Sequence, residues 1–419
     1  MSSPDRIAAG LSLPPRSVLP FAGLLLSMAL LPLAAPRFWE RHFGKVSAAF
    51  GVPVAASFLF LAPGELLHTA LEYLSFLVLL GSLFTISGGI LLRGKIAGTP
   101  GVNCAFLAAG AALSNVLGTT GASMLLIRPL LRANSERKDS VLVYVFFIFV
   151  VANIGGALTP VGDPPLFLGY LKGVPFFWTV RNLWGCWLAA AGMIIGIYYV
   201  LDRVATRSEG RGGSAESNGA AERAPLTVEG KWNLLLLGGV VAAVFLPTPL
   251  REAAMLAAAA LSARMTPEWI RRENGFTYGP IREVAILFAG IFATMIPALL
   301  ILQSRGSELG IREPWHFFWA SGTLSSFLDN APTYLTFLSL AQGLGGTADV
   351  VGVSAPVLRA ISAGAVFMGA VTYIGNAPNF MVKSIVESSG VRMPSFFGYM
   401  GYSTVVLLPV FAVVTLLFL

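Results

Sequence analysis

The sequence predicts an all-α polytopic membrane protein whose two halves repeat one architecture, a re-entrant hairpin followed by a broken helix. Three observations predict it. Hydrophobic residues make up 55% of the 419 positions and charged residues 12%, with a mean hydropathy of +0.74. That balance overfills a single soluble core and fits the helical membrane class. Apolar runs such as 141–152, 183–201, 232–245 and 399–419 approach the roughly 20 residues that one bilayer crossing needs. Polar interruptions recur about half a chain apart. Leu113-Ser114-Asn115-Val116-Leu117-Gly118-Thr119-Thr120-Gly121 reads against Leu324-Ser325-Ser326-Phe327-Leu328-Asp329-Asn330-Ala331-Pro332, and Gly156-Ala157-Leu158-Thr159-Pro160-Val161-Gly162-Asp163-Pro164-Pro165 against Gly369-Ala370-Val371-Thr372-Tyr373-Ile374-Gly375-Asn376-Ala377-Pro378.

In chain order, the pattern reads as about ten spans plus two hairpins. The first half covers 1–201, with a hairpin at about 101–133 and a broken helix at about 141–170. Residues 202–231, rich in Gly, Ser, Ala and mixed charge, cannot bury a core and read as a flexible cytoplasmic linker. The second half covers 232–419, with its hairpin at about 315–345 and its broken helix at about 354–386. The apolar run before Ala35 reads as a span; a cleaved signal peptide ending there is the rival reading. Lys and Arg gather at 36–45, 93–99, 132–139, 202–231 and 264–282 and thin out at 63–70, 171–181, 246–253 and 303–314. By the positive-inside rule the first group is cytoplasmic and the second external, which puts both termini outside and makes the two repeats inverted. The net charge of +7 is thereby a topology signal. With no aromatic-interleaved basic stripe, it gives no footprint for nucleic acid.

The stretch 159–165 cannot continue a helix, since three prolines lack N–H donors and clash with the preceding turn. A break at membrane depth frees carbonyls and N–H groups that only protein, water or an ion can satisfy. Thr159, Gly162 and Asp163 in the first break, and Thr372, Gly375, Asn376 and Asn379 in the second, are therefore candidate site residues. Ser114, Asn115, Gly118, Thr119 and Thr120 in one hairpin, and Ser325, Asp329 and Asn330 in the other, read as tips lining a cavity. Asp163 and Asp329 are the acids most deeply embedded in apolar sequence, where an ionisable group is costly and hence a functional candidate. A carboxylate that holds either a proton or a sodium ion is the simplest chemistry for exchange. The bland alternative is an ion pair of either acid with Arg128, Lys172 or Lys383. Glu72 and Glu283 read as solvated cap residues, and His316 beside Trp315 as an interfacial anchor. The aromatic residues near 176–184 and 315–319 read as interfacial belts.

Cys104 and Cys186 form no disulfide framework or zinc spacing. With His42, His68 and His316 isolated and no HExxH, Walker A or Ser-His-Asp arrangement, hydrolytic and phosphoryl-transfer chemistry have no support, and no enzyme is expected. Paired breaks in two hydrophobic halves are the signature of a secondary transporter with its site at the repeat interface.

At these residues the chain resembles the ion transporter superfamily, which includes NhaD-type sodium/proton antiporters, arsenite and citrate permeases, and sodium-coupled dicarboxylate symporters. Gly155-Gly156-Ala157-Leu158-Thr159-Pro160-Val161-Gly162-Asp163-Pro164-Pro165 is similar to the superfamily's broken-helix motif, and Ser325 to Pro332 to the antiporters' second hairpin motif. The resemblance covers most of the chain. It implies a homodimer in a bacterial inner (plasma) membrane, with a scaffold domain and a mobile domain holding both hairpins and both broken helices. It also implies no cofactor beyond sodium or protons as coupling ions. Two departures stand out: Gly118-Thr119 replaces the antiporters' Asp-Asn in the first hairpin, and Leu166 stands where an Asn commonly follows Pro-Pro. The leading expectation is sodium/proton exchange, with Asp163, Asp329, Asn330, Asn376, Thr159 and Thr372 around the cation. The alternative is an ion-coupled transporter of citrate, a dicarboxylate or another small anion.

Overall fold

The computed structural model describes residues 12–94, 96–137, 139–211, 227–344 and 349–419. The first half contains α1 (Leu19–Ala34), α2 (Pro36–Leu61), α3 (Pro63–Ser87), β1 (Leu91–Arg93), α4 (Pro100–Ala133), α5 (Val141–Val150), α6 (Pro164–Leu171) and α7 (Trp178–Arg211). The second contains β2 (Thr227–Glu229), α8 (Trp232–Ala243), α9 (Leu250–Met265), α10 (Glu268–Glu273), α11 (Gly279–Arg305), α12 (Pro314–Phe327), α13 (Asn330–Gln342), α14 (Ala355–Phe367), α15 (Ala377–Ser388) and α16 (Phe396–Phe418). Proline opens α2, α3, α4, α6 and α12, at the helix position where its missing N–H has no intrahelical partner to lose. Among the described residues, eight helices are long and apolar enough to cross a membrane, so the chain is an all-α polytopic membrane protein. The ten spans expected from the sequence include pieces such as α8 and α14, which are apolar but too short to cross alone.

α4 is two helical arms joined at Gly118, whose φ of 74° and ψ of 155° break the helix. Positive φ costs glycine nothing, whereas a Cβ there is strained. The Asn103 and Asn134 side chains donate to each other, both at 2.9 Å. In a straight helix those residues would lie about 46 Å apart at 1.5 Å per residue, so the chain doubles back at Gly118. A second reversal separates α12 from α13 at Leu328 and Asp329, both in extended or turn conformation.

The core is densest around α5, where every residue from Val143 to Ala152 is at most 1% exposed. α4, α7, α15 and α16 pack around it. On the other flank α11 packs against α2, α3 and α13. Ser47 donates to Ile286 O at 2.8 Å, and Gly51 and Gly290 meet backbone to backbone, which brings the axes of α2 and α11 close.

Different contacts close the two ends of the bundle. At one, β1 pairs antiparallel with β2, Leu91 opposite Glu229. There Arg93 pairs with Glu273, Arg132 donates to Leu92 O, and Arg271 donates to Thr85 O at 3.0 Å. The Arg93 guanidinium holds the exposed Glu273 carboxyl below its ordinary range. At the other end, the rings of Phe176 and Phe245 meet tilted, 4.7 Å between centroids, and Tyr170 donates to Val244 O at 2.8 Å. α7 continues through Arg211, inside the stretch assigned to the linker. There Asp202 is buried and paired with Arg137 at 2.5 Å, which gives that part of the helix a tertiary anchor. Of the remaining linker, 227–229 form β2, and 212–226 lie outside the described residues.

Candidate functional site

Each broken segment has the same local design. α5 gives way to a 3-10 turn over Ile154–Leu158, the chain extends at Thr159, and α6 restarts with Asp163 as its N-cap residue. α14 gives way to a 3-10 turn over Met368–Val371, the chain extends at Thr372, and α15 restarts with Asn376 as its N-cap residue. A Cβ on Gly162 would lie 2.2 Å from Gly156 O, and one on Gly375 would lie 2.6 Å from Gly369 O. Only glycine allows the extended strand to lie against its own 3-10 turn.

The hairpins are stitched to these breaks through main chain. Asn115 Oδ1 accepts from Leu158 N at 2.8 Å, and Thr159 Oγ1 donates to Asn115 O at 2.5 Å. In the second half Thr372 Oγ1 donates to Ser326 O at 2.5 Å. Ser114 and Ser325 donate to Val151 O and Ala365 O, at 2.8 and 2.6 Å. Ser114, Asn115, Thr159, Ser325 and Thr372 thus spend their polar atoms on freed backbone groups, the satisfaction that a break in the bilayer demands.

All four discontinuities converge on Asp163, which is 1% exposed. Its Oδ1 accepts from Thr119 Oγ1 at 3.0 Å and from Asn376 Nδ2 at 3.3 Å, and its Oδ2 accepts from Asn330 Nδ2 at 2.7 Å. Thr119 N also donates to Gly162 O at 2.8 Å. By the repeat alignment Thr119 and Asn330 occupy equivalent hairpin positions, and Asp163 and Asn376 equivalent break positions. The site therefore combines two pseudo-equivalent pairs, of which one member is acidic. Among the described residues no Lys or Arg forms an ion pair with Asp163. Lys172 is held by Glu72 at 2.7 Å, Lys383 by Glu387 at 2.8 Å, and Arg128 by Asn274 O at 3.0 Å. Asn330 Oδ1 is buried beside the carboxylate with no hydrogen-bond partner. A cavity of about 30 Å³ borders Thr119, Thr120, Gly162 and Asp163, enough to hold at least one water molecule.

Asp329 is placed differently from Asp163. It is half-buried, and its Oδ1 caps α13 by accepting from Ala331 N at 3.0 Å. It makes no hydrogen bond to the Asp163 cluster, so the two acids do not form a shared carboxylate pair. Glu72 is also not the solvated cap residue expected from the sequence. It sits inside α3, 6% exposed, and binds both Lys172 and His68, because the end of α6 packs over that turn of α3. Asn153 escaped the sequence reading. It is fully buried, donates to Asn379 Oδ1 at 2.7 Å and accepts from Asn376 Nδ2 at 3.3 Å. Asn379 Nδ2 is fixed by Gly369 O and Thr372 O, so this amide chain ties the second break to the first. An amide ending the most apolar run in the chain, just before Gly155-Gly156, was the available signal.

Two broken helices and two hairpins meeting at one buried carboxylate inside a polytopic bundle define an integral membrane protein of the transport class. Residues 10–419 match the family CitMHS_2, described as "Putative citrate transport", and the chain belongs to this family. No curated protein matches it.

Proposed function

We propose that this protein is a secondary active transporter in which Asp163 holds a sodium ion or a proton in turn, exchanging the two across the membrane. The observation that carries this reading is the Asp163 environment: a buried carboxylate with neutral donors only and a spare amide oxygen beside it. Asp163 Oδ2 and Asn330 Oδ1 are hard oxygen atoms of the kind a small cation prefers. Turning the Asn330 amide would present that oxygen to a bound ion. The adjoining cavity of about 30 Å³ leaves room for a small ion beside the carboxylate in this conformation. Arg128, Lys172 and Lys383, the basic residues nearest the motifs, are engaged elsewhere and add no positive charge at Asp163 for an anion.

The alternating-access step follows from the repeats. If they are inverted, two copies of one element exchange conformations and open Asp163 to one face and then the other. Sodium and protons are then the coupling ions, and no further cofactor is required. The family description favours a second reading, ion-coupled transport of citrate or a related anion, with Asp163 as the coupling-ion site.

Internal pH in proteoliposomes containing the purified protein distinguishes the two. Proton movement on adding sodium or lithium alone supports exchange. Silence to both cations, with a response only once citrate is present, replaces exchange by anion transport.

A further inference from the structure

Two amides face the Asp163 carboxylate, Asn376 and Asn330, and they are held in different ways. Asn379 Nδ2 spends both hydrogens on carbonyls of the second break, Gly369 O at 2.8 Å and Thr372 O at 2.9 Å, which leaves its oxygen facing Asn153. Asn153 Nδ2 donates to that oxygen at 2.7 Å and to Ile148 O at 2.8 Å. Ile148 lies in the last turn of α5, where carbonyls lack intrahelical donors. Both hydrogens of Asn153 are thereby committed, and its Oδ1 turns to Asn376. Asn376 Nδ2 then lies among three acceptors: Ala152 O at 3.1 Å, Asn153 Oδ1 at 3.3 Å and Asp163 Oδ1 at 3.3 Å. Turning that amide would set its oxygen against three others. Since an amide has two donor hydrogens on one side and only an acceptor on the other, backbone carbonyls of the two breaks dictate every orientation in this chain.

Asn330 has no such support. Its Nδ2 donates to Asp163 Oδ2 at 2.7 Å, and its Oδ1 is fully buried without a partner. A buried acceptor left unpaired is costly, and a cation beside it removes that cost. The repeat alignment gives the same contrast. The counterparts of Asn153 and Asn379 are Val366 and Leu166, both buried and apolar, so the other half has no copy of the amide chain.

We propose that Asn153 is a positioning residue that locks Asn376 as a permanent donor to Asp163, so that Asn330, the amide free to turn, supplies the amide oxygen to a cation at this carboxylate. The inference rests on the reading of Asp163 as a cation site. It removes Asn376 from the ligands expected from the sequence and puts the ion on the Oδ2 side of Asp163.

Sodium binding by the full chain in detergent tests this without requiring transport. Isothermal titration with sodium chloride, against choline chloride as control, gives the affinity. Asn330→Ala removes a ligand and should weaken binding by about thirtyfold or more, whereas Asn376→Ala removes one long hydrogen bond and should weaken it by about threefold to fivefold. Asn153→Leu should match Asn376→Ala. Because Asn153 acts through Asn376, the variant carrying both substitutions should bind no more weakly than either alone. A merely structural role for Asn153 would lower the thermal midpoint and leave sodium affinity unaltered. Asn153→Ser, which keeps a small hydroxyl donor, takes the place of Asn153→Leu in the same cycle if the leucine variant does not fold. Equal losses from Asn330→Ala and Asn376→Ala overturn the division between ligand and donor. Unaltered affinity in the Asn153 variant, or losses that multiply in the double variant, overturn the positioning role. Absence of sodium binding by the unaltered protein removes the cation reading and this assignment together. Sodium binding with the expected ratios, in a protein that moves no protons, removes exchange alone and leaves the assignment standing.

Discussion

Asp163→Asn separates chemistry from stability at the centre of the site. The wild-type carboxylate accepts from three neutral donors, Thr119, Asn330 and Asn376. Hydrogen bonds to a charged group contribute about 1.5–3 kcal/mol each, and one buried donor left unsatisfied costs about 1–3 kcal/mol. The asparagine amide must point its own NH2 at either Asn330 or the Thr119 and Asn376 side. Pointed at Asn330 it meets the spare Oδ1 once that amide turns, whereas pointed the other way it faces the Asn376 amide donor, and in either case the charge assistance of the three bonds is lost. Against these losses stands the desolvation of a buried carboxylate, which amounts to several kcal/mol and disappears with the charge. The two contributions are of similar size, so the variant should fold with a thermal midpoint close to that of the unaltered protein. Exchange should nonetheless fall to the empty-vesicle level, because a neutral amide binds neither the proton nor the cation charge. Thermal unfolding in detergent and sodium-driven internal pH change in proteoliposomes provide the two readings. Full sodium/proton exchange by a well-folded Asp163→Asn protein would refute the carboxylate mechanism.

Other expected outcomes follow from the same geometry. Thr119→Val keeps the shape and deletes the 3.0 Å hydroxyl donor, so sodium affinity at Asp163 should weaken by roughly tenfold, while Thr119→Ser restores it; isothermal titration reads both. Gly162→Ala forces a Cβ to within 2.2 Å of Gly156 O and should cost more than about 2 kcal/mol. Gly192→Ala, with nothing within 4 Å of the new Cβ, should be neutral or stabilising by up to about 1 kcal/mol; thermal unfolding compares them. Lys172→Met leaves the buried Glu72 with His68 alone and should destabilise by up to about 3–5 kcal/mol, most of which Glu72→Gln in the same chain recovers. Loss of stability in the double variant equal to that of Lys172→Met alone would show that the pair is not what holds α3 to α6.

The sequence by itself determined the class of fold, because hydropathy, proline and glycine act locally. Long apolar runs in α3, α11 and α16 can satisfy their backbone in a bilayer only as helices, and no helix passes through Pro160, Pro164 and Pro165. Gly118 marked a place where the chain could leave helical geometry, and the doubling of the motifs made a doubled architecture legible before any coordinates. What the tertiary structure decided is which polar groups meet. Thr119, Asp163, Asn330 and Asn376 come together because four separate segments end at one depth, a fact no spacing along the chain contains. For the same reason Asp329, equally conspicuous in the sequence, spends its carboxylate on capping α13. Glu72, read locally as a solvated cap residue, is buried because α6 returns over it from a hundred residues away. Burial and pairing belong to the packing of distant segments, and pattern along one segment reports only what that segment can do alone.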